Sequence, residues 1–212
     1  MKVPIVIPTF GRFKKLERLL ASIKELGFDL ILDTSLRPSN YPMIKPCVDL
    51  RKKIGYGRGL RALNVGVGNC KSDLMRQMPF MEFEQLDQID VHQPYLDYAK
   101  TLGWGSRVVT FLEIDVRKVH FEGYDIIMVF DVLEHLTKEE AIEVIEKMKK
   151  TKAKLVIFGP LEKTFRPNTF GAESQDHLSL WTEADFKELG FETERLVNFH
   201  GDFDALWAIR NT

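Results

Sequence analysis

Cysteine is scarce in this chain: Cys47 and Cys70 are the two it has in 212 residues. Two thiols build neither a disulfide framework nor a zinc motif, so a reducing, cytoplasmic setting is expected, with both thiols packed as small side chains. No apolar run reaches the roughly 18 residues that a membrane-spanning helix needs. Pro4 and Pro8 bracket an N-terminal stretch too short for the apolar region of a secretory signal, and no membrane partner is expected. Net charge is nearly absent as well, with 30 Lys and Arg against 31 Asp and Glu. Without a basic stripe interleaved with aromatics, nucleic acid is not expected as a partner. There is no glycine-lysine-serine/threonine run, which excludes a P-loop.

What is present describes an ordinary globular protein, 44% hydrophobic and 29% charged. The length suits one α/β domain with an appendage. Charge is distributed unevenly: residues 1–61 carry 13 basic and 5 acidic side chains, and the remainder 17 and 26. A solvated basic face or an acidic partner would each account for this. Residues 1–54 read as a basic N-terminal extension and residues 55–212 as the main domain. In the extension, Val3 to Ile7 and Phe28 to Leu32 read as strands. They flank a helix from about Arg12 to Leu26, whose stripe is Leu16, Leu19, Leu20, Ile23 and Leu26. Thr34 to Pro46, with three prolines, reads as a loop or lid.

The main domain alternates strand and helix. A short helix is predicted from Val48 to Ile54 and a buried strand from Leu60 to Val65. After a turn at Gly66 and Gly68 comes a short helix, Lys71 to Met78. Further strands are predicted at Gln85 to Ile89, Arg107 to Leu112, Tyr124 to Phe130 and Lys154 to Phe158. Helices are predicted from Tyr95 to Leu102, from the capping box Thr137-Lys138-Glu139-Glu140 with Ile142, Ile145 and Met148 on one face, and from Thr182 to Gly190. Glu194 to Phe199 and Phe203 to Ile209 close the chain as two strands, which adds an antiparallel strand to an otherwise parallel sheet. Gln85 to Ile89 is more polar than a buried parallel strand usually is.

Chemistry gathers at the carboxyl ends of these strands. Two glycines one residue apart let the backbone turn sharply and bring its N–H groups to a ligand. Asn64, Asp90, Asp115 and Asp131 follow one another at successive strand ends, and Asp90 stands where a carboxylate would meet ribose hydroxyls. A dinucleotide fold needs a third glycine where Lys71 stands, so NAD and FAD are disfavoured.

From about Gly55 onward the chain resembles class I S-adenosylmethionine-dependent methyltransferases. The residues that carry the resemblance are Asn64-Val65-Gly66-Val67-Gly68-Asn69-Cys70, Ile89-Asp90-Val91, Glu113-Ile114-Asp115-Val116, Phe130-Asp131-Val132-Leu133-Glu134-His135-Leu136, and His177-Leu178-Ser179 with Trp181-Thr182, Phe186 and Leu189-Gly190-Phe191. The resemblance implies a doubly wound, mostly parallel seven-stranded α/β sheet with an antiparallel C-terminal hairpin strand. It implies S-adenosyl-L-methionine held by Asn64, Gly66, Gly68, Asp90, Val91, Asp115, Val116 and Asp131. Asp90 would meet the ribose and Asp115 the adenine amino group. Asn64 stands where that family has an acid and Cys70 where it has a third glycine, both of which bear on cofactor affinity. The first 33 residues resemble the start of family 2 glycosyltransferases through Ile5-Val6-Ile7-Pro8-Thr9-Phe10, Arg12, Leu16 and Leu19-Leu20, without the paired aspartates of that family.

The expected activity is methyl transfer to a small-molecule acceptor, a sugar or phosphorylated metabolite. The alternative is a non-catalytic binding or regulatory protein on the same fold. An acceptor hydroxyl would need a base, and His135 and His177 are the candidates. A divalent metal at Asp131, Glu134, His135 and His177 is the lesser alternative to a metal-free site. The basic extension, with Phe10 and Tyr41, would lie over the acceptor as a lid. A homodimer is compatible with the sequence.

Overall fold

The computed structural model describes residues 50, 52–70, 74, 75, 78–161, 176–199 and 204–211. The elements expected in residues 1–49 lie outside the described residues, as does most of the helix expected from Lys71 to Met78. Of that stretch, Leu74 and Met75 are helical and Met78–Phe80 forms a 3-10 turn.

Among the described residues, seven strands make one sheet. β1 is Arg61–Val65, β2 Gln85–Asp90, β3 Val108–Glu113, β4 Ile126–Phe130, β5 Lys154–Leu161, β6 Glu192–Leu196 and β7 Asp204–Arg210. They lie in the order β3-β2-β1-β4-β5-β7-β6. The first five pair in parallel, and β7 runs antiparallel between β5 and β6. The order reverses between β1 and β4, so the crevice outside their carboxyl ends is where an open α/β sheet takes a ligand. The doubly wound sheet with its antiparallel hairpin strand is thus as the sequence implied.

Each face of the sheet carries its own core. On one, Ala62, Leu86, Met128, Val156 and Trp207 pack with Met75, Met78 and the buried Leu96 and Ala99 of helix α1, Gln93–Lys100. On the other, Leu63, Ile89, Ile127, Val129 and Ile157 pack with helix α2, Lys138–Lys149, and with Phe186 of helix α3, Glu183–Glu188. α2 opens on the expected capping box: the Thr137 hydroxyl accepts from the Glu140 N–H, and the Glu140 carboxylate accepts from the Thr137 N–H. Its buried residues are Ala141, Val144, Ile145 and Met148, and Ile142, half-buried, packs against the same core. α1 begins two residues before the expected Tyr95, because Pro94 is tolerated in a first helical turn.

The polarity of β2 has a local explanation. Asp87 accepts hydrogen bonds from the Tyr124 hydroxyl at 2.7 Å and from Gln85 Nε2 at 3.1 Å. Gln88 Oε1 accepts from Asn64 Nδ2 at 2.7 Å on the neighbouring strand. Burial beside Asp87 raises the Tyr124 phenol well above its ordinary pKa. Among the described residues, no helix is long and apolar enough to cross a membrane.

Candidate functional site

The site is built at the carboxyl edge of the sheet from two halves that meet at Gly66. This glycine has φ +80°, and a Cβ on it would lie 2.2 Å from Val132 Cγ2, just past β4. Only glycine allows both the left-handed turn and that close approach. Its N–H donates to the Ile89 carbonyl at 3.0 Å, which carries the β1–β2 pairing into the turn. Gly68, at φ +54°, has nothing within 4 Å of the place a Cβ would take.

In the first half, Asp90 ends β2 and turns its carboxylate toward the glycine turn. Oδ2 accepts from the Gly68 N–H at 2.8 Å and Oδ1 from the His92 N–H at 2.9 Å. A carboxylate has about four acceptor positions, so two backbone donors fix it and leave two. Val91, beside it, is 52% exposed, an apolar side chain presented at the edge. Asp115 lies two residues beyond β3, ahead of the 3-10 turn Val116–Lys118, and accepts from the Arg117 N–H at 2.9 Å. The Arg117 guanidinium grips the same carboxylate, with Nε 3.0 Å from each oxygen, and holds it below the usual carboxylate range. Val116 is buried behind it.

Asn64 stands at the carboxyl end of β1, one residue before Val65. It lies inside β1 with no exposure, opposite Gln88 in the β1–β2 register. Its Nδ2 bonds Gln88 and approaches Met75 Sδ at 3.4 Å, while its Oδ1 has no hydrogen-bond partner. Gln88 gave no signal as a site residue in the sequence, because a strand partner is visible only once the register is known. Cys70 has a left-handed backbone, at φ +58°, and is 6% exposed. Burial, and then the nearby Asp90 charge, push its thiol up to about 11.

The second half follows β4. Asp131 is exposed at φ +52°, and a 3-10 turn, Leu133–His135, leads to α2. The segment 177–181 is stapled onto this turn. Leu178 and Ser179 donate backbone N–H groups to the Glu134 carbonyl at 2.6 and 3.1 Å. The Ser179 hydroxyl donates to the Leu133 carbonyl, and Trp181 Nε1 donates to the Ser179 hydroxyl. The staple brings His177 beside His135, edge to face with ring centroids 4.9 Å apart. His135 Nδ1 lies 3.1 Å from the Asp176 carbonyl, which can only accept, so Nδ1 is the donor in that bond.

Glu134, buried, offers its carboxylate to the same place: one donor atom each of Glu134, His135 and His177 lie within 4.8 Å of one another. One carboxylate and two imidazoles fit a borderline divalent cation. Asp131, expected as a fourth ligand, falls outside this group. Ser179 and Trp181 stood in the sequence as parts of a pattern; their part in placing His177 emerges only from the packing.

No protein-family model matches the sequence, and no curated protein matches it. Solved structures do. The N-methyltransferase NodS from Bradyrhizobium japonicum WM9 superposes with a TM-score of 0.56 at 16% identity, over 81% of this chain and 96% of that one. Magnesium protoporphyrin IX methyltransferase (ChlM) from Synechocystis PCC 6803, crystallised with bound SAH, gives 0.55 at 17%, over 96% of both. A SAM-dependent methyltransferase from Aquifex aeolicus gives 0.53 at 20%, over 89% of this chain and 97% of that one. At these identities the likeness is one of fold: the chain has the class I, Rossmann-like methyltransferase fold.

Proposed function

We propose that this protein binds S-adenosyl-L-methionine at the Gly66–Gly68 turn and methylates a small-molecule acceptor. The observation that carries the reading is Asp90, a carboxylate anchored by two backbone N–H groups at the lip of an open glycine turn, with acceptor positions left for two ribose hydroxyls. Asp115 and Val116 would receive the adenine, with Val91 against it, and Asn64, Gly68 and Asp131 would face the amino-acid end. The unpartnered Asn64 Oδ1 is a buried acceptor suited to an ammonium donor, directly or through one bound water.

The cofactor would supply an electrophilic methyl on a sulfonium, whose departure leaves a neutral thioether. The chain's own part is alignment, holding the acceptor in line with the methyl and excluding water. For a hydroxyl acceptor, His135 Nε2 or His177 would take the proton, with His135 oriented by its Nδ1–H bond to the Asp176 carbonyl. The basic charge of the N-terminal extension would suit a phosphorylated or carboxylated sugar or metabolite as acceptor.

Isothermal titration calorimetry of the full chain with S-adenosylmethionine tests the binding step, with saturable binding expected. No heat at millimolar cofactor would sink the reading. Transfer of labelled methyl to a panel of sugars and phosphorylated metabolites tests the chemistry. Binding without transfer to any acceptor would favour a non-catalytic binding protein.

A second reading is favoured by the Glu134, His135 and His177 cluster, which would hold a divalent cation to ligate the acceptor oxygen. Metal analysis of the purified protein, with turnover before and after chelation, separates this from the metal-free form.

A further inference from the structure

The contacts of Arg117 extend the cofactor reading, on which this inference rests. We propose that Arg117 is a positioning residue: it fixes the Asp115 carboxylate as the group that reads the cofactor's base, and so makes the site prefer a 6-aminopurine to a 6-oxopurine.

Asp115 stands at the carboxyl edge just past β3, and an isolated aspartate there would turn about its side-chain torsions. Arg117 stops this from two directions. Its backbone N–H holds Oδ1 at 2.9 Å, and its guanidinium straddles both oxygens through Nε and Nη2. These three donors leave about one acceptor position on the carboxylate. The same contacts keep Asp115 ionised across the neutral range, hence an acceptor only. A fixed acceptor pairs with an exocyclic amino group and repels a carbonyl oxygen in the same place.

The guanidinium is itself anchored. Nη1 bonds Glu140 Oε1, while Glu140 Oε2 accepts from the Thr137 N–H in the capping box of α2. Lys147 Nζ donates to the Arg117 carbonyl at 3.1 Å, a second tie to the same helix. The orientation of Asp115 is thus referred to a twelve-residue helix rather than to the turn on which it sits.

Calorimetry with S-adenosylhomocysteine and S-inosylhomocysteine tests the proposal on the full chain. The wild type is expected to prefer the adenosyl ligand by about tenfold or more, since a site built to bond a group rejects the analogue without it. Arg117→Ala is expected to weaken adenosyl binding about tenfold and to shrink the preference to about threefold or less, because Asp115 is no longer held. Arg117→Gln, which keeps donors but loses the fork, is expected to fall between the two. Melting curves of both variants separate lost positioning from lost folding, since a merely structural role would weaken both ligands alike. An undiminished preference in folded Arg117→Ala, or equal binding of both ligands by the wild type, would overturn the inference and leave the cofactor reading standing. A wild type that binds neither ligand would overturn both.

Discussion

The two halves of the site are held by different means. Around β1 and β2, backbone N–H groups fix a carboxylate, and the residues involved, Gly68, Asp90 and His92, sit at the ends of adjoining elements. After β4, side chains are placed by a distant segment: Ser179 and Trp181 bind the 133–135 turn and carry His177 to His135. The first arrangement follows from the sheet register almost automatically. The second depends on a few polar contacts across more than 40 residues of sequence, and each of them is a point at which it can fail separately.

Substitutions can test how independent the halves are. Gly66→Ala strikes where they touch. Its Cβ would overlap Val132, and alanine is poorly suited to φ +80°. A stability loss of about 3 kcal/mol is expected, from overpacking and backbone strain together. Thermal melting would show this as the largest effect of the set, and cofactor affinity should fall with it.

Asp90→Ala addresses the first half alone. Removing two charge-assisted hydrogen bonds to a bound ribose should raise the cofactor Kd about 100-fold. The contact between His135 and His177, followed through their imidazole NMR signals, should not change. Ser179→Ala is the reciprocal test. It removes a donor to the Leu133 carbonyl and leaves the buried Trp181 N–H unpaired, with an expected loss of about 2 kcal/mol. Turnover should drop while cofactor Kd stays within about twofold. An equal fall in cofactor affinity would show that the halves are one unit.

The smallest effect concerns Cys70. Its thiol is pushed from the ordinary value near 9 to about 11 in the folded state, so the folded protein holds that proton longer than the unfolded chain. Stability from this group is complete below pH 9 and is lost as pH rises from there toward 11. A plot of melting temperature against pH should fall more steeply there for the wild type than for Cys70→Ala.

Much of the fold was legible because its signals are local. Alternating apolar strands, the Thr137 capping box and the terminal pair of strands led to the sheet that is observed, with boundaries off by one to three residues. Asp90 was legible because one strand end and one glycine turn define its place. Asn64 was recognisable, but not its condition, since its pairing with Gln88 is a property of strand register. Ile142, Ile145 and Met148 were legible as one stripe because helical periodicity is local, while Ala141 and Val144, which share the buried face, were not singled out. Arg117, Ser179 and Trp181 carry no signal of their own as site residues. Their importance comes from what they hold, and that appears only when distant segments are side by side.

The order in which the last two strands enter the sheet has a consequence for biosynthesis. β6 leaves the ribosome first yet takes the outer position, and among the described residues its ladder partner is β7. Until β7 emerges and pairs along seven residues of β5, the nascent sheet ends at β5 with an open hydrogen-bonding edge. Trp207 arrives on that late strand and meets Phe130 and Phe158, already in place on β4 and β5. A pause in translation just short of β7 would therefore expose an apolar, unpaired edge to chaperones or to another copy of the chain.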